Sequence, residues 1–404
     1  MPLHVHRATR TDLLAEGLAA VLAVPAADPL AQEIVVVPAR GVERWLTQRL
    51  SHRLGAGSGG ADGVCAGVRF LSPNSLVTLL LGTDRDDPWL PDNLAWPLLA
   101  TMDERLDEPW AVQLARHLGH GDASERGRLR AGRRYSVARR LAGLFHSYAV
   151  QRPALLASWE AGRPGDGSSR PDAIGGGSWP DGIGGTLDAD LAWQPPLWRA
   201  LIERIGGTTP VERHTQTVMR LRDGDPSLDL PERMSLFGHT RLARTEIELL
   251  SALGERHQVD LWLPHPSPAL WAKLMPLVGD GPVPRDRDES GTIVAHPLLA
   301  SLGRDLRELQ RAVALASAGD EARLHAEAAH RTDPDHASAG ERAESQQAGR
   351  QSWLAHLQHD LATDHPPTRD EARARAIGED DRSIQIHACH GPARQVEVLR
   401  DVLV

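Results

Sequence analysis

Lysine is almost missing from this sequence: among 45 basic residues the single lysine is Lys273, in "PALWAKLMPL". A GxxxxGK[ST] loop needs its lysine to reach the β- and γ-phosphates of a bound nucleotide. Lys273 follows no glycine-rich turn, so the chain contains no such loop. A PD-(D/E)xK nuclease centre also needs a lysine shortly after a carboxylate, and Leu270-Trp271-Ala272 supplies none. Both chemistries are therefore closed to this chain acting alone. Cysteine is nearly as scarce. Cys65 and Cys389 lie far apart and outside any CxxC pair, against both a disulfide framework and a thiolate zinc site. No apolar run approaches the roughly 20 residues that span a bilayer. The opening "MPLHVHRATRTDLL" has none of the regions of a secretory signal, so a cytoplasmic protein is expected.

What is present is ordinary for a globular protein: 404 residues, 41% hydrophobic and 25% charged, with room for two or three domains. A net charge of −9 argues against a surface that is basic all over, though not against a local basic groove.

Residues 1–87 alternate strand and helix. "LHVHRA" (3–8) reads as a strand, and "TDLLAEGLAAVLA" (11–23) as an amphipathic helix. "EIVVV" (33–37) is a continuous β-branched run, as buried parallel strands are, and "GVERWLTQRLSHRLG" (41–55) a helix closed by Gly55. "VRFLSPNSLVTLLLG" (68–82) reads as strand, turn and helix, with Ser72 or Asn74 able to cap. This alternation predicts an α/β fold with a parallel sheet covered by helices.

Residues 88–215 favour helices and read as an inserted helical segment; Trp96, Trp110 and Trp198 within it, and Trp45 before it, are expected in cores. Its glycine- and serine-rich stretch 162–185 is expected to be a flexible loop. Strand character returns within 216–314, at "RMSLFGHT" (233–240) and "QVDLWLPHP" (258–266), around a helix at 243–257. A further helix is expected at 296–313. Residues 315–382 read as a largely flexible linker, poor in large apolar residues at 315–350 and 364–382. "SIQIHACHGPARQVEVLRDVLV" (383–404) reads as strand, turn and helix, the start of a second α/β domain that the chain does not complete.

The candidate sites are few. Histidine pairs at 4–6, 117–120, 356–359 and 387–390 lack an HExxH-type carboxylate, and with 19 histidines such pairs are expected by chance; no metal site is assigned. No GxSxG elbow and no catalytic cysteine signature occur, so no catalytic residue is assigned. Arginines are more suggestive. Arg40 and Arg44 flank Gly41 at the turn after a buried strand, where α/β sheets place ligands. "RLRAGRRYSVARRL" (128–141) carries six more, of which Arg133, Arg134 and Arg140 could share a helical side; a solvated face is the alternative.

Several stretches, in order along the chain, resemble the RecC family, the gamma subunits of exodeoxyribonuclease V (RecBCD). They are "GVERWLTQRLS", "LFHSYAVQRPALLASWEAG", "WQPPLWRALIE", "HPLLASLGRDLRELQ" and "IQIHACHGPARQVEVLRDVL". The resemblance implies a RecA-like, superfamily-1 helicase fold whose ATP site has decayed. Residues 1–87 and 216–314 would then form a first helicase-like domain, 88–215 its 1B-like insertion, and 383–404 the start of a second RecA-like domain. Pro38, Ala39, Arg40 and Gly41 would mark a vestigial Walker A turn, and "SLFGHT" (235–240) would stand where a motor carries its magnesium-binding Asp-Glu. It further implies a non-catalytic subunit that splits duplex ends, channels single-stranded DNA and scans it for a Chi-like sequence in double-strand break repair and recombination. RecB- and RecD-like subunits would be its partners and would use the ATP and magnesium, with no cofactor in this chain. DNA contacts carried over by position are Arg40, Arg44, Leu144, His146 and Arg152. Leu144 and Arg152 fit the family pattern. Pro38, Arg40 and Arg44 replace small polar or amide side chains, and Gly143 and His146 stand where acidic residues are common, which bears on the sequence that would be read. The rival readings are an AddB-like helicase–nuclease chain with its own motor, which the missing lysine opposes, and a metal-dependent α/β enzyme.

Overall fold

The computed structural model describes residues 3–26, 28, 30–54, 63–83, 85–162, 179–182, 184–225, 230–278, 283, 285, 287–316, 352–375, 377–378 and 380–403. These form two compact units: residues 3–5, 18–262 and 316 in one, and residues 6–17, 263–315 and 352–403 in the other.

The chain opens with β1 (Leu3–Ala8), α1 (Thr11–Leu22), β2 (Glu33–Val36), α2 (Arg40–Ser51), β3 (Val68–Leu71) and α3 (Pro73–Leu81). A helical series comes next: α4 (Pro91–Arg105), α5 (Val112–His117), α6 (Glu125–Ala131), α7 (Arg134–Gln151), α8 (Pro153–Ala161), α9 (Gln194–Ile205) and α10 (Pro210–Asp223). β4 (Arg233–Phe237), α11 (Arg244–Gly254) and β5 (Gln258–Pro264) return to the sheet. The five strands are ordered β1-β5-β4-β2-β3, and β2 with β3, β2 with β4, and β4 with β5 pair parallel.

The strand sequences account for this. Ile34, Val35 and Val36 are buried on both faces of the sheet, so β2 does not alternate in polarity; β5 is buried on both faces too, Val259, Leu261 and Leu263 on one and Asp260 and Trp262 on the other. At the start of the sheet, Arg233 Nε donates to Glu33 Oε1 at 2.7 Å across the β2–β4 pair. Ser72 is the residue that caps α3, accepting from Ser75 N at 3.1 Å.

The helices from α4 to α9 enclose an apolar core of their own. Leu94, Leu98 and Met102 of α4 meet Leu141 and Phe145 of α7, Trp159 of α8 and Trp198 of α9. The Trp198 ring lies 5.1 Å from Trp89 and 5.3 Å from Phe145, centroid to centroid. Trp45 and Trp110 are half-buried, whereas Trp96, expected inside, is 62% exposed. Its neighbours Leu94, Ala95 and Leu98 take the inward face of α4, and the ring is left outside at a cost on the order of 2 kcal/mol of forgone burial.

In the expected flexible loop 162–185, residues 163–178 and 183 lie outside the described set, but residues 179–182 and 184–185 are anchored. Trp179 is buried, Gly182 at φ +77° sits against the Leu155 backbone, and Asp181 Oδ1 accepts from Gly185 N at 2.8 Å. A buried tryptophan outweighs the local glycine content.

The second unit adds α12 (Pro268–Leu274), α13 (Pro297–Leu302), α14 (Arg304–Ala316), α15 (Trp353–Thr363), α16 (Arg369–Ala374) and α17 (Gly391–Leu403). Leu270, Trp271, Leu274 and Leu299 form its core. The helix expected at 296–313 is two helices separated by Gly303. Residues 317–351 lie outside the described set. Residues 352–375, by contrast, are folded where composition predicted mobile chain, because charge holds them. Arg375 clasps Asp360 with two bonds of 2.8 and 2.6 Å, and the buried Asp364 carboxylate accepts from Lys273 Nζ at 2.6 Å and from His296 N at 2.9 Å. Burial pushes the Asp364 pKa up, but the ammonium and the backbone N–H groups outweigh it and hold the pKa below the ordinary value. The strand expected at the start of 383–404 is not formed: the residues before α17 pair with no strand among the described residues, and a strand without a neighbour has no ladder.

Candidate functional site

In the sheet, β2 and β4 are neighbours whose chains leave in opposite directions. From β2 the chain passes through α2 to β3 on one side; from β4 it passes through α11 to β5 on the other. The crevice beyond their carboxyl ends is therefore a topological switch point, where open α/β sheets bind ligands.

Residues 38–44 form the β2 side of that crevice. Pro38, Ala39, Arg40, Gly41 and Arg44 are all exposed. Ala39, extended at φ −157°, offers no side chain to cap α2. Arg40 and Arg44 stand one helical turn apart, and neither guanidinium has an ion pair among the described residues. Gly41 is helical, and a Cβ built on it meets nothing within 4 Å, so the fold does not require glycine there.

The β4 side is the turn Gly238-His239. Gly238 adopts φ +74°, which favours glycine, and its N–H donates to Trp262 O at 2.9 Å. A Cβ there would sit 3.9 Å from Val42 Cγ1, which puts this turn directly against the start of α2. One residue earlier, Phe237 lies 6.1 Å from the Trp45 ring. His239 is 2% exposed, and neither of its ring nitrogens has a partner among the described residues. Burial lowers its pKa to about 4, so the ring is neutral at neutral pH and brings no negative charge to a metal. The small cavity on the flank of β4, lined by Leu76, Leu236, Leu242, Glu246 and Leu250 among others, measures about 10 Å³, room for about one water.

The second group of sequence-derived residues lies at the far end of α7. His146 is exposed, and Leu144 is half-buried against the helical core. Arg152 ends the helix, with its side chain donating to Asp181 O at 2.7 Å. This end is tied to the sheet by Thr245 in the first turn of α11, whose hydroxyl donates to Val150 O at 2.9 Å. The two groups thus belong to one region: the loop 238–243 runs from the turn that touches Val42 to the helix that holds Val150. Arg40 and Arg44 at the turn and Arg152 at the helix end are all exposed.

His120 Nε2 bonds Asp107 Oδ1 at 2.8 Å, and His387, Cys389 and His390 lie in a segment without regular structure. Among the described residues no group of three or more His, Cys, Asp or Glu is arranged to hold a metal ion.

The family described as RecC, N-terminal domain, matches residues 3–364. This chain belongs to the RecC family. Proteins named RecBCD enzyme subunit RecC are 53% identical to it in Mycobacterium tuberculosis and 48% in Mycolicibacterium smegmatis, each match covering all of this chain. The RecBCD enzyme subunit RecC of Escherichia coli is 25% identical over 93% of the chain. The chain spans about a third of the length of these relatives. In this RecC-family chain, sequence reading missed the Thr245–Val150 link and the burial of His239. "ARTEIELL" does announce a helix start, but nothing local in it names a partner 95 residues away.

Proposed function

We propose that the chain is the N-terminal part of a non-catalytic, DNA-handling subunit of a RecBCD-type helicase–nuclease acting in double-strand break repair and recombination. The family match over residues 3–364 carries this reading, and the relatives' names supply the assembly. In it, residues 1–87 and 216–314 make a RecA-like domain with a degenerate ATP site, and 88–215 is a helical insertion. Residues 383–404 open a second such domain. RecB- and RecD-like subunits are the partners, and their motors consume the ATP and magnesium. The protein works in the cytoplasm; among the described residues no helix is long and apolar enough to cross a membrane.

The missing Walker lysine and the neutral, buried His239 at the end of β4 support a switch point that no longer holds a nucleotide. Exposed Arg40 and Arg44 at that edge suit the phosphates of a single strand, with His146 and Arg152 further along and Leu144 giving an apolar contact. Arginine recognises phosphate or guanine better than adenine, so the strand sequence scanned would differ from one read by amides.

Two measurements test the reading. The chain should co-purify with RecB- and RecD-like subunits, and should show no ATPase by itself. In the assembled complex, Arg40→Ala and Arg44→Ala should each weaken single-strand binding and lower the salt slope by about one. ATP turnover by the isolated chain, or unchanged affinity and slope in both variants, would sink it.

A further inference from the structure

Resting on the DNA-handling reading above, we propose that an exposed aromatic pair, Trp96 and Tyr135, and the stripe of α7 that continues from it form a stacking track for one strand of single-stranded DNA. The two rings lie with centroids 5.0 Å apart and planes tilted by 38°. Trp96 is 62% exposed and Tyr135 42%, so both present aromatic surface to solvent instead of to the core beneath α4 and α7. Along α7, Tyr135, Arg139, Gly143 and His146 are all exposed and recur at helical spacing on one side. That stripe runs about 16 Å from Tyr135 to His146, where it meets the contacts already proposed.

Two independent observations select a nucleic acid as the occupant. The first is charge. Between residues 125 and 140 there are seven arginines and one acid, Glu125. Arg130 and Arg134 turn back to Arg116 O and Asp103, but Arg133, Arg139 and Arg140 remain exposed. Arg139 approaches Asp92 at 3.6 Å, a loose pair of two exposed groups that a phosphate can replace. Aromatic faces ringed by arginine suit unstacked bases with a charged backbone, as duplex bases, already stacked, do not. The second is Gly143. It lies inside the 18-residue helix α7, and a Cβ built on it meets nothing within 4 Å. A glycine inside a helix is destabilising, and no packing among the described residues calls for this one; it leaves bare backbone open along the stripe, where a strand can approach closely.

The test uses the complex assembled with its partner subunits. An oligothymidylate carrying 5-iododeoxyuridine is photo-crosslinked and the adducts mapped by mass spectrometry, with affinity followed by anisotropy at several salt concentrations. Adducts are expected on Trp96 or Tyr135. Trp96→Ala and Tyr135→Ala should each weaken binding about tenfold, with the salt slope unchanged because no phosphate contact is lost. Gly143→Ala should raise the melting temperature while lowering affinity, a pairing that a purely structural role would not produce. Parent affinity in all three variants, with no adduct on either ring, overturns the track; if Arg40→Ala and Arg44→Ala still weaken binding, the DNA-handling reading survives it. Loss of partner subunits from the Trp96→Ala complex makes the face a protein interface and overturns the track as well. Absence of single-strand binding by the parent complex refutes both readings.

Discussion

Glycines at the switch point differ in what the backbone asks of them. Gly238 holds φ +74°, where a side chain is strained, and its turn lies against Val42. Gly41 occupies the first turn of α2 in a helical conformation with open space around its Cα. A phosphate loop would need that glycine; a helix does not. Gly41→Ala should therefore stabilise the protein by roughly 0.5–1 kcal/mol, through helix preference and a less flexible unfolded chain. Urea denaturation measures this as a higher midpoint with unchanged slope. A clear loss of stability would mean that the turn carries a constraint not visible in its geometry. The same residue shows what sequence could and could not tell. Gly41 between two arginines was legible as lying just after a β-branched strand, but whether its glycine is required depends on its dihedral angles, which no motif states.

At the scale of elements, legibility followed where the stabilising partners lie. β2, β4 and β5 are buried on both faces, and the β-branched run of β2 and the apolar residues around Ser235 in β4 and Asp260 in β5 identify them without reference to neighbours. The helices α2, α7 and α9 likewise show their inward faces in their own spacing. Elements held by distant partners were not legible. The order of residues 352–375 depends on Arg375 reaching Asp360 and Lys273 reaching Asp364, contacts that composition cannot register. The strand expected at the start of 383–404 had the right residues but no neighbour to pair with among the described residues. The candidate site divides in the same way: the arginine turn was visible locally, whereas its connection to α7 runs through Thr245. That hydroxyl donates to Val150 O, a carbonyl in the last turn of α7 that has no following helical N–H to accept from. Thr245→Val keeps the shape and removes the donor. It should cost about 1 kcal/mol in urea denaturation. It should also raise hydrogen exchange at the amides of the last turn of α7 more than elsewhere in that helix. Uniform exchange along α7 would show that packing alone, and not this bond, fixes the helix end to the sheet.

For the whole molecule, the consequence is a defined response to acid. Each compact unit encloses a neutral histidine: His239 in one and His265 in the other, both with pKa lowered to about 4, chiefly by burial and, for His265, also by the nearby Arg7 charge. Both nitrogens of His239 and Nε2 of His265 are buried without a partner among the described residues, so neither ring has an acceptor ready for the proton it would gain. Above pH 6.5 the rings are neutral folded or unfolded, and they contribute no pH dependence. Between pH 6.5 and 4 the unfolded chain takes up protons that the folded chain refuses, so stability falls as pH falls; below 4 the two states again bind equally. Each histidine costs on the order of 3 kcal/mol over this window, against a typical total of about 5–15 kcal/mol. Asp364, held below an ordinary value of 3.8 that already lies under this window, weakens the fold only in stronger acid. Urea midpoints measured from pH 7 to pH 4 should therefore decline most steeply between 6.5 and 4. His239→Leu, which puts an apolar side chain of similar size in the buried position, should flatten that decline in the unit carrying the sheet and leave the His265 unit responsive. An unaltered pH slope in His239→Leu would mean that the folded protein accommodates the charged ring, and that the end of β4 is less closed to ions than its burial implies.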